Sequence, residues 1–590
     1  MQDIIKKVMR NSEIAQLLGT IASLLELKGG NRFKQIAYAD AARQIENWPI
    51  PVEDLWKDGR LRKIPGVGEG IAKKIAEVLE TGHCGFLEEL KEEIPLGLLE
   101  LEKVPGVGPK LALMLYQELG ICSISALEES VRAGHLRSLP RLGQKSEQNI
   151  LRGIETLARQ SGRIPLGVAM PVAEGIVAQL RNTCALQEIQ VCGSLRRWKE
   201  TIGDLDLLVS AMDTEPVMKA FIAMPEVVQI LGVGPTKSTI LTSSGLQVDL
   251  RVVQPDSWGA ALQYFTGSQA HNVHLRELAI RQRMKLNEYG LFRMEDNQKR
   301  AGETEEGIYQ TLGLEWVPPE LREDQGEVEA ALKKCLPHLV ELVDIRGDLH
   351  THTEWSDGYD SLAEIARAAE RMGYQYLVIS DHAQALAVAN GLTWERFLQQ
   401  RSELRSLEFG SGFQVLWGVE ANILNEGRLD FPMDSFGTFD LVLAGIHSGL
   451  SQTRVQTTQR VTRALSSGRI DILAHPTGRL IGKREPFEIE IGEVMATARS
   501  VGAALEINTS PERLDLKDID ARTARDKYGL KLALGTDAHS TKSLETMRYG
   551  VALARRAWLE PQDVLNTFTV GELRDWIVRR RTQNNPLISR

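Results

Sequence analysis

Cysteine is scarce. The chain has five in 590 residues, at 84, 122, 184, 192 and 335, and none forms a CxxC pair. That excludes a disulfide-stapled scaffold and structural zinc knuckles, and it points to a reduced, cytoplasmic setting. No run approaches ~18 consecutive apolar residues, so no membrane span is expected. The opening MQDIIKKVMRNSE lacks the apolar core of a signal peptide. An excess of positive charge is also missing: 70 Lys+Arg stand against 79 Asp+Glu, net −9. The balance is even, 40 against 45 in residues 1–340 and 30 against 34 in residues 341–590. Taken alone this argues against nucleic-acid binding, which uses Lys and Arg to neutralise phosphates. The objection is weak, because backbone N–H groups and a few placed cations can hold phosphates while the outer surface stays acidic. With 43% apolar and 25% charged residues the composition is that of ordinary soluble globular protein. At roughly 100–200 residues per domain, the length allows about three to five domains.

Residues 1–60 read as amphipathic helices. EIAQLLGTIASLLEL (13–27) repeats its apolar residues at helical spacing, Gly29-Gly30 ends the run, and a second helix is expected from Arg32 to Asn47. From about 165 the texture becomes α/β: QEIQVCGS (187–194), DLDLLVS (204–210) and LQVDLRVV (246–253) read as strands, with a polar turn between the first two. Residues 317–343 begin with Pro-Pro and are rich in charge, which predicts a linker plus helix. After 344, short apolar strands alternate with helical segments, the rhythm of parallel βαβ units in a barrel or doubly wound sheet. Polar residues stand at the C-terminal ends of those strands, where such folds build active sites.

A local repeat marks the first region. KIPGVGEGIAKKI (63–75) is matched by KVPGVGPKLALML (103–115), with a looser copy in SLPRLGQKSEQNI (138–150). Gly66, Gly68, Gly106 and Gly108 stand just before helices, where glycine permits positive φ and free N–H groups can cradle an anion. One such turn is as readily a packing unit; two favour a grip on a phosphate backbone. The spacing resembles the helix-hairpin-helix motif of DNA repair proteins, which implies DNA binding without sequence reading.

Asp204 and Asp206 are two apart on a strand and so share a face, and Asp249 on LQVDLRVV offers a third carboxylate. Such a face is costly unless a cation lies between the charges. Oxygen-only clusters suit Mg²⁺, and paired ions serve phosphoryl or nucleotidyl transfer. For D-x-D alone an exposed polar face is the commoner explanation. The string GSLRR-x4-IGDLD, however, resembles the nucleotidyltransferase signature of family X DNA polymerases, the group of DNA polymerase beta. The resemblance continues through YFTGSQAHNVHLRELA (264–279) and NEYGLF (287–292), and it covers residues 1 to about 318. It implies that Asp204, Asp206 and Asp249 are catalytic and hold Mg²⁺ (or Mn²⁺), with Asp249 also taking the primer 3′-OH proton. Ser194, Arg197 and Gly203 would contact the incoming triphosphate. Tyr264, Phe265 and Gly267 would border the sugar, Asn272 would meet the incoming base, and Arg276 would reach the template. Trp198 departs from the pattern, which usually has a small residue there. In the first domain, Lys34, Tyr38 and Lys74 match a pocket for the 5′-phosphate of a gap, with Lys74 at the lyase position. A phosphate-binding lysine of that pocket is replaced by Gly70, and Lys74 is equally readable as a solvated lysine beside Lys73. The expectation is a modest preference for phosphorylated gaps and weak or absent lyase activity.

Six histidines occur in residues 341–590, all at strand ends or polar turns: His350, His352, His382, His447, His475 and His539. Asp357, Glu420 and Asp537 accompany them. One such histidine is usually structural, but six together indicate a shared metal site of Zn²⁺, Mn²⁺ or Fe²⁺ type. The pattern resembles the PHP domain (polymerase and histidinol phosphatase), a distorted β/α barrel with three metal positions. The resemblance implies one metal on His350, His352, Glu420 and Asp537, and a second reached by Glu420 with His447 and His475. A third would sit on Asp357, His382 and His539. Metal-assisted phosphoester hydrolysis is the implied chemistry.

The expected architecture is therefore multidomain. An α-helical N-terminal region with helix-hairpin-helix motifs (1–90 and a fingers-type domain at 91–160) precedes an α/β nucleotidyltransferase palm (161–255). A thumb-like nucleotide-selection subdomain (256–318), a linker (319–343) and a PHP phosphoesterase domain (344–590) follow. The expected function is a bacterial-type family X DNA polymerase that fills short gaps in base excision repair. It would be fused to a 3′–5′ exonuclease with possible apurinic/apyrimidinic endonuclease or 3′-phosphatase action. The expected partners are gapped or primed DNA and dNTPs, with no membrane and a monomeric chain. The rivals are a small-molecule phosphatase and a non-catalytic DNA-end-binding scaffold.

Overall fold

A computed structural model of the chain describes residues 11–29, 32–46, 52–104, 106–139, 142–160, 163–432 and 434–584. These fall into two compact units, one up to residue 162 and one from Arg163 onward. Among the described residues no single helix is long and apolar enough to cross a membrane.

The first unit is helical. α1 (Asn11–Leu27) packs on α2 (Arg32–Glu46), burying Ile14, Leu18, Ile21 and Leu25, residues that recur along one face. Asn47, expected in the second helix, lies outside the described residues. The repeated sequence makes a repeated structure. Gly66 (φ 78°) and Gly106 (φ 93°) turn in the left-handed region. The buried valines Val67 and Val107 pin each turn to the core, and Gly68 and Gly108 cap α3 (Glu69–Thr81) and α4 (Pro109–Leu119). Neither cap is closed by a side chain, so first-turn N–H groups of α3 remain for another acceptor; α4 offers fewer, because Pro109 has no N–H and the Leu111 N–H is taken by the Gly108 carbonyl. In the looser third copy, Pro140 and Arg141 lie outside the described residues. Its Gly143 carbonyl accepts from Ser146 and Glu147 at the start of α5 (Gln144–Gln160).

The second unit opens with α6 (Leu166–Thr183) against a five-stranded sheet. Its strands are β1 (Glu188–Val191), β2 (Leu205–Ser210), β3 (Val227–Val233), β4 (Lys237–Thr242) and β5 (Gln247–Val253), in spatial order β1-β2-β5-β4-β3. Only β2 and β5 run parallel. The connection between β1 and β2 holds α7 (Gly193–Arg196) and the short strand Thr201–Ile202, which pairs with Ile164–Pro165; it is more structured than the polar turn expected there. α8 (Trp258–Thr266), α9 (Gln269–Arg281), a three-stranded antiparallel sheet over 284–301 and α10 (Glu305–Thr311) follow. Residues 319–343 carry the expected helix, α11 (Glu327–Leu332), but do not form a free connector. Leu321, Val328, Ala331 and Leu339 are buried in one cluster with Tyr309 and Leu312. Of the charged residues that suggested a linker, Glu320, Arg322, Glu323 and Glu327 are spent in ion pairs instead.

The rest is a nearly closed parallel barrel of seven strands in sequence order: β6 (Gly347–Thr351), β7 (Tyr376–Ile379), β8 (Gln414–Asn422), β9 (Leu441–Gly445), β10 (Ile472–Leu473), β11 (Ala504–Asn508) and β12 (Leu532–Gly535). β7 and β9 are buried throughout, as strands covered on both faces must be. Closure comes from the chain leaving β12: Asp537 N–H donates to the His350 carbonyl at 2.9 Å, and His352 N–H to the Ala538 carbonyl at 2.8 Å. A ten-residue helix near the end, α12 (Met547–Arg556), packs on this barrel.

A buried ionic network joins α7 to α10. Glu305 accepts from Arg196 at 2.8 Å through both oxygens and from the fully buried Arg322 at 2.5 Å. Burial pushes the Glu305 carboxyl up, but the two arginines prevail and hold it at about 2. Glu305→Ala would strand two guanidinium groups in low dielectric, and we expect a loss of about 3–5 kcal/mol of stability. Urea unfolding of the full chain checks this; an unshifted midpoint would show that the network contributes nothing.

Candidate active sites

Strand register assembles the first site. Along β5, Val248, Leu250 and Val252 are buried while Gln247, Asp249 and Arg251 face the other way. Asp206 of β2 lies directly opposite Asp249 in the parallel ladder, about 4.8 Å away by ordinary strand spacing. Asp204, exposed, stands one residue ahead of β2. Burial, then Asp204 and Asp249, pushes the Asp206 carboxyl up to about 7. Asp249 is raised by burial but more strongly lowered by Lys237, which pairs with it at 2.7 Å, and by Thr239. A carboxylate pair under this repulsion is what a shared divalent cation relieves, so the donor set fits Mg²⁺ or Mn²⁺. Gly193 allows the approach: it has φ 59°, and a Cβ there would lie 2.4 Å from Asp206 Oδ2.

The other residues singled out near this site are distributed around it. Ser194 sits in α7 and is half-buried, Gly203 precedes Asp204, and Arg276 is half-buried on α9. Arg197 donates Nε to Glu323 at 3.0 Å and Nη1 to the Thr266 carbonyl at 2.7 Å. Tyr264 and Phe265 meet edge to face at 5.1 Å, and the Arg251 guanidinium lies 4.7 Å over the Phe265 ring. Asp206, Asp249, Lys237, Arg251 and Phe265 thus line one cleft. Asn272 closes the end of α8: Nδ2 donates to the Tyr264 and Gly267 carbonyls at 2.7 and 3.2 Å, and Oδ1 accepts from Gln263 at 2.8 Å. Gly267 is obligatory there, since a Cβ would meet Asn272 Oδ1 at 2.4 Å. In the first unit, Tyr38 stacks on Phe86 at 6.1 Å, and Lys74 Nζ lies 4.7 Å over the same ring. Lys34 is exposed, one helical turn before Tyr38. At Gly70 a Cβ would meet open space.

The second site lies at the C-terminal mouth of the barrel. All nine His, Asp and Glu residues picked out there converge. His352, Asp357, His382 and His539 form one group with ligand atoms within 4.8 Å of one another; His350, His352 and Asp537 form a second, and His382, Glu420 and His447 a third. Glu420, 1% exposed, stands at the centre, with imidazole nitrogens of His475, His447, His382, His350 and His352 at 2.9, 3.0, 3.0, 3.4 and 3.6 Å. His352, His382 and His539 stack, with centroids 4.4 and 4.6 Å apart. His475 (φ 27°) and Asp537 (φ 53°) take left-handed backbone to aim their side chains inward.

Two observations test whether divalent metals fit. His447 Nδ1 donates to Asn422 Oδ1 at 2.8 Å, and burial pushes its imidazole down to about 4. The neutral ring then turns a lone pair at Glu420 Oε1, 3.0 Å away, an arrangement that calls for a cation between them. In addition, the buried atoms His352 Nδ1, His475 Nδ1 and Glu420 Oε2 have no hydrogen-bond partner. Buried polar atoms left so are costly unless something else binds there. The donor set fits.

Sequence reasoning missed the groups that orient these ligands. Glu506 accepts from His350 Nδ1 at 2.6 Å and from the His475 N–H at 2.6 Å, and Asn508 Nδ2 donates to Asp537 at 3.1 Å. Asn422 fixes His447 as described. The available signal was a carboxylate and an amide inside wholly buried apolar strands, Glu506 and Asn508 in ALEIN, where nothing but a site repays their burial. Lys237 was likewise passed over.

A fold with paired strand carboxylates in one half and a histidine-lined barrel mouth in the other defines a two-centre enzyme of phosphoester chemistry. Family models match in the same places: Helix-hairpin-helix domain over 9–84, SAM-like Helix-hairpin-helix tandem over 98–156, DNA polymerase beta thumb over 261–323 and PHP domain over 348–510. The chain is 36% identical to the DNA polymerase/3′-5′ exonuclease PolX of Bacillus subtilis over 575 residues, 97% of this chain and all of that protein. It is 26% identical to DNA polymerase lambda of Rattus norvegicus over 344 residues, 53% of this chain and 56% of that one. A probable phosphatase of Vibrio parahaemolyticus matches at 32% over 248 residues, 40% of this chain and 95% of that protein. The chain belongs to the family X DNA polymerases that carry a C-terminal PHP domain.

Gly193 gives this site a direct test. Gly193→Ala forces Asp206 aside and strains the turn, so primer extension should fall about a hundredfold while nuclease activity of the same preparation holds. Undiminished extension would show that Asp206 needs no such approach.

Proposed function

We propose that this chain fills short DNA gaps at the Asp204, Asp206, Asp249 site and trims 3′ ends at the barrel mouth, as a repair polymerase with its own 3′–5′ exonuclease. The observation that carries the reading is the register of Asp206 on Asp249 in one half, beside a ring of histidines around buried Glu420 in the other. Mg²⁺ or Mn²⁺ in the first site and Zn²⁺, Mn²⁺ or Fe²⁺ in the second would stabilise charge developing on phosphoryl oxygens. The palm aspartates hold the cations, and Asp249, ion-paired with Lys237, takes the primer hydroxyl proton. Ser194, Arg197 and Gly203 hold the triphosphate, and Tyr264 and Phe265 border the sugar. At the barrel, His350, His352, Glu420 and Asp537 form one ligand set, His447 and His475 extend it through Glu420, and Asp357, His382 and His539 form another. The open N-termini of α3 and α4 receive backbone phosphates. Phosphatase-type relatives match only the barrel part, so a stand-alone small-molecule phosphatase leaves the palm and the repeated turns without a role.

Reciprocal variants separate the sites. Asp249→Ala should abolish extension on gapped DNA and leave exonuclease activity, whereas His352→Ala should do the reverse. Chelation followed by Mn²⁺ or Zn²⁺ should restore the wild-type nuclease. Joint loss in either variant, with the chain folded, would refute two independent centres.

The first-unit pocket is testable by addition. A side chain at Gly70 meets no atom, and Gly70 lies one turn before Lys74 on α3. Gly70→Lys should raise the preference for 5′-phosphorylated over unphosphorylated gaps several-fold and steepen the salt dependence by about one counterion. Gel-shift titration across a salt series measures both; an unmoved ratio removes the pocket.

A further inference from the structure

The barrel domain grips the palm at the turn after α7. Trp198, the bulky departure from the polymerase pattern, takes φ 54° and sets its ring edge-on to Tyr549 of α12, with centroids 5.8 Å apart. Two residues on, Glu200 pairs with Arg479 at 2.7 Å. Arg556, the last residue of α12 and 5% exposed at its side chain, reaches across the same junction. Its Nη1 donates to the Arg197 carbonyl at 2.7 Å and to Glu323 Oε1 at 3.1 Å. Its Nε and Nη2 donate to Asp518 at 2.9 and 2.7 Å, which fixes the guanidinium from the barrel side.

Glu323 is the pivot. The same Oε1 that accepts from Arg556 accepts Arg197 Nε at 3.0 Å, and Arg197 Nη1 is held by the Thr266 carbonyl. Arg556 therefore fixes Arg197 twice, by its main chain and, through a shared carboxylate, by its side chain. Two of the five donors of Arg197 are engaged in this way, which sets the plane of the fork and leaves donors over. Arg197 and Ser194 line a cavity of about 450 Å³ whose other walls include Arg163 and Lys199 of the palm and Lys517 of the barrel. Arg556 lines it too, the carboxylates of Glu200 and Asp518 share its walls, and residues of both domains enclose it.

We infer that Arg556 is a positioning residue for nucleotidyl transfer: from the barrel domain it holds Arg197 in the orientation that binds the triphosphate, so the nuclease domain forms one wall of the polymerase's nucleotide pocket. This rests on the reading of Arg197 as a triphosphate contact. A guanidinium fork binds phosphate strongly only when its plane is set in advance. Without Arg556, Glu323 is free to draw Arg197 elsewhere, and the 197–200 turn loses its anchor.

The test is single-nucleotide gap filling by the full chain, with KM for dNTP and kcat measured separately and exonuclease on single-stranded DNA as the folding control. Arg556→Ala should raise KM about 5- to 30-fold, the size expected for one charge-assisted contact, with nuclease activity unchanged. Glu323→Gln, which leaves the barrel intact, should shift KM in the same direction and decides the matter should Arg556→Ala lose both activities. In an Arg197→Ala background, Arg556→Ala should add nothing to KM, because it acts through the missing side chain. If Arg197→Ala raises KM but neither Arg556→Ala nor Glu323→Gln does, or if the effects of Arg556→Ala and Arg197→Ala add in full, the positioning role is overturned. If Arg197→Ala itself leaves KM unchanged, the triphosphate reading fails and the inference with it.

Discussion

Carboxylates crowded where water is thin are the constraint on which both halves of this chain depend. In the palm, parallel register sets Asp206 beside Asp249 with Asp204 close by, and burial together with that repulsion lifts Asp206 far above an ordinary carboxyl. In the barrel, Glu420 is buried at the meeting point of five imidazoles. Neither arrangement is favourable on its own terms. Each becomes so when cations share the charge. The surrounding folds, a mixed sheet and a nearly closed barrel, hold those charges against their tendency to separate. The glycines at the closest approaches serve this end: Gly193 beside Asp206, and Gly445, where a Cβ would lie 2.6 Å from the His475 ring.

The two sites solve that problem with different chemistry. The palm offers oxygen donors from adjacent strands, and a positive side chain, Lys237, already compensates one of them. Hard cations that keep water and take substrate phosphate oxygens suit such a face. The barrel offers neutral and charged imidazoles with a few carboxylates, and two of the rings, His350 and His447, are steered by the further acceptors Glu506 and Asn422. Mixed nitrogen and oxygen donors of this kind suit divalent transition ions better than hard cations. The two centres therefore differ in donor type as well as position.

Much of this was legible in the sequence, for identifiable reasons. The repeated PGVG turns, the alternation in QVDLRVV and the histidines at strand ends are local patterns, and period 2 or 3.6 carries them directly into structure. What was not legible is pairing across distance. Arg196 finds Glu305 from 109 positions away, and residues 319–343, rich in charge behind a Pro-Pro, read as a linker although Arg322 belongs to that buried network. Charge in a sequence says that a partner is needed, not where it is. Glu506 and Asn508 were hidden for the opposite reason: two polar residues in a short apolar strand look like scatter until burial shows that nothing else would tolerate them.

Trp198 joins these two lessons. As a sequence feature it is a departure from the family pattern, which usually has a small residue there. In the fold it stands at positive φ, a conformation costly for a large side chain, and its ring is spent on Tyr549 of another domain. A residue of this size at such a φ persists only when its surroundings over-determine it. Here the surroundings are the Arg556, Glu323 and Arg479 contacts on either side. Tyr549 of the barrel half is the partner of that ring, so the strained turn of the palm is held from the domain that follows it.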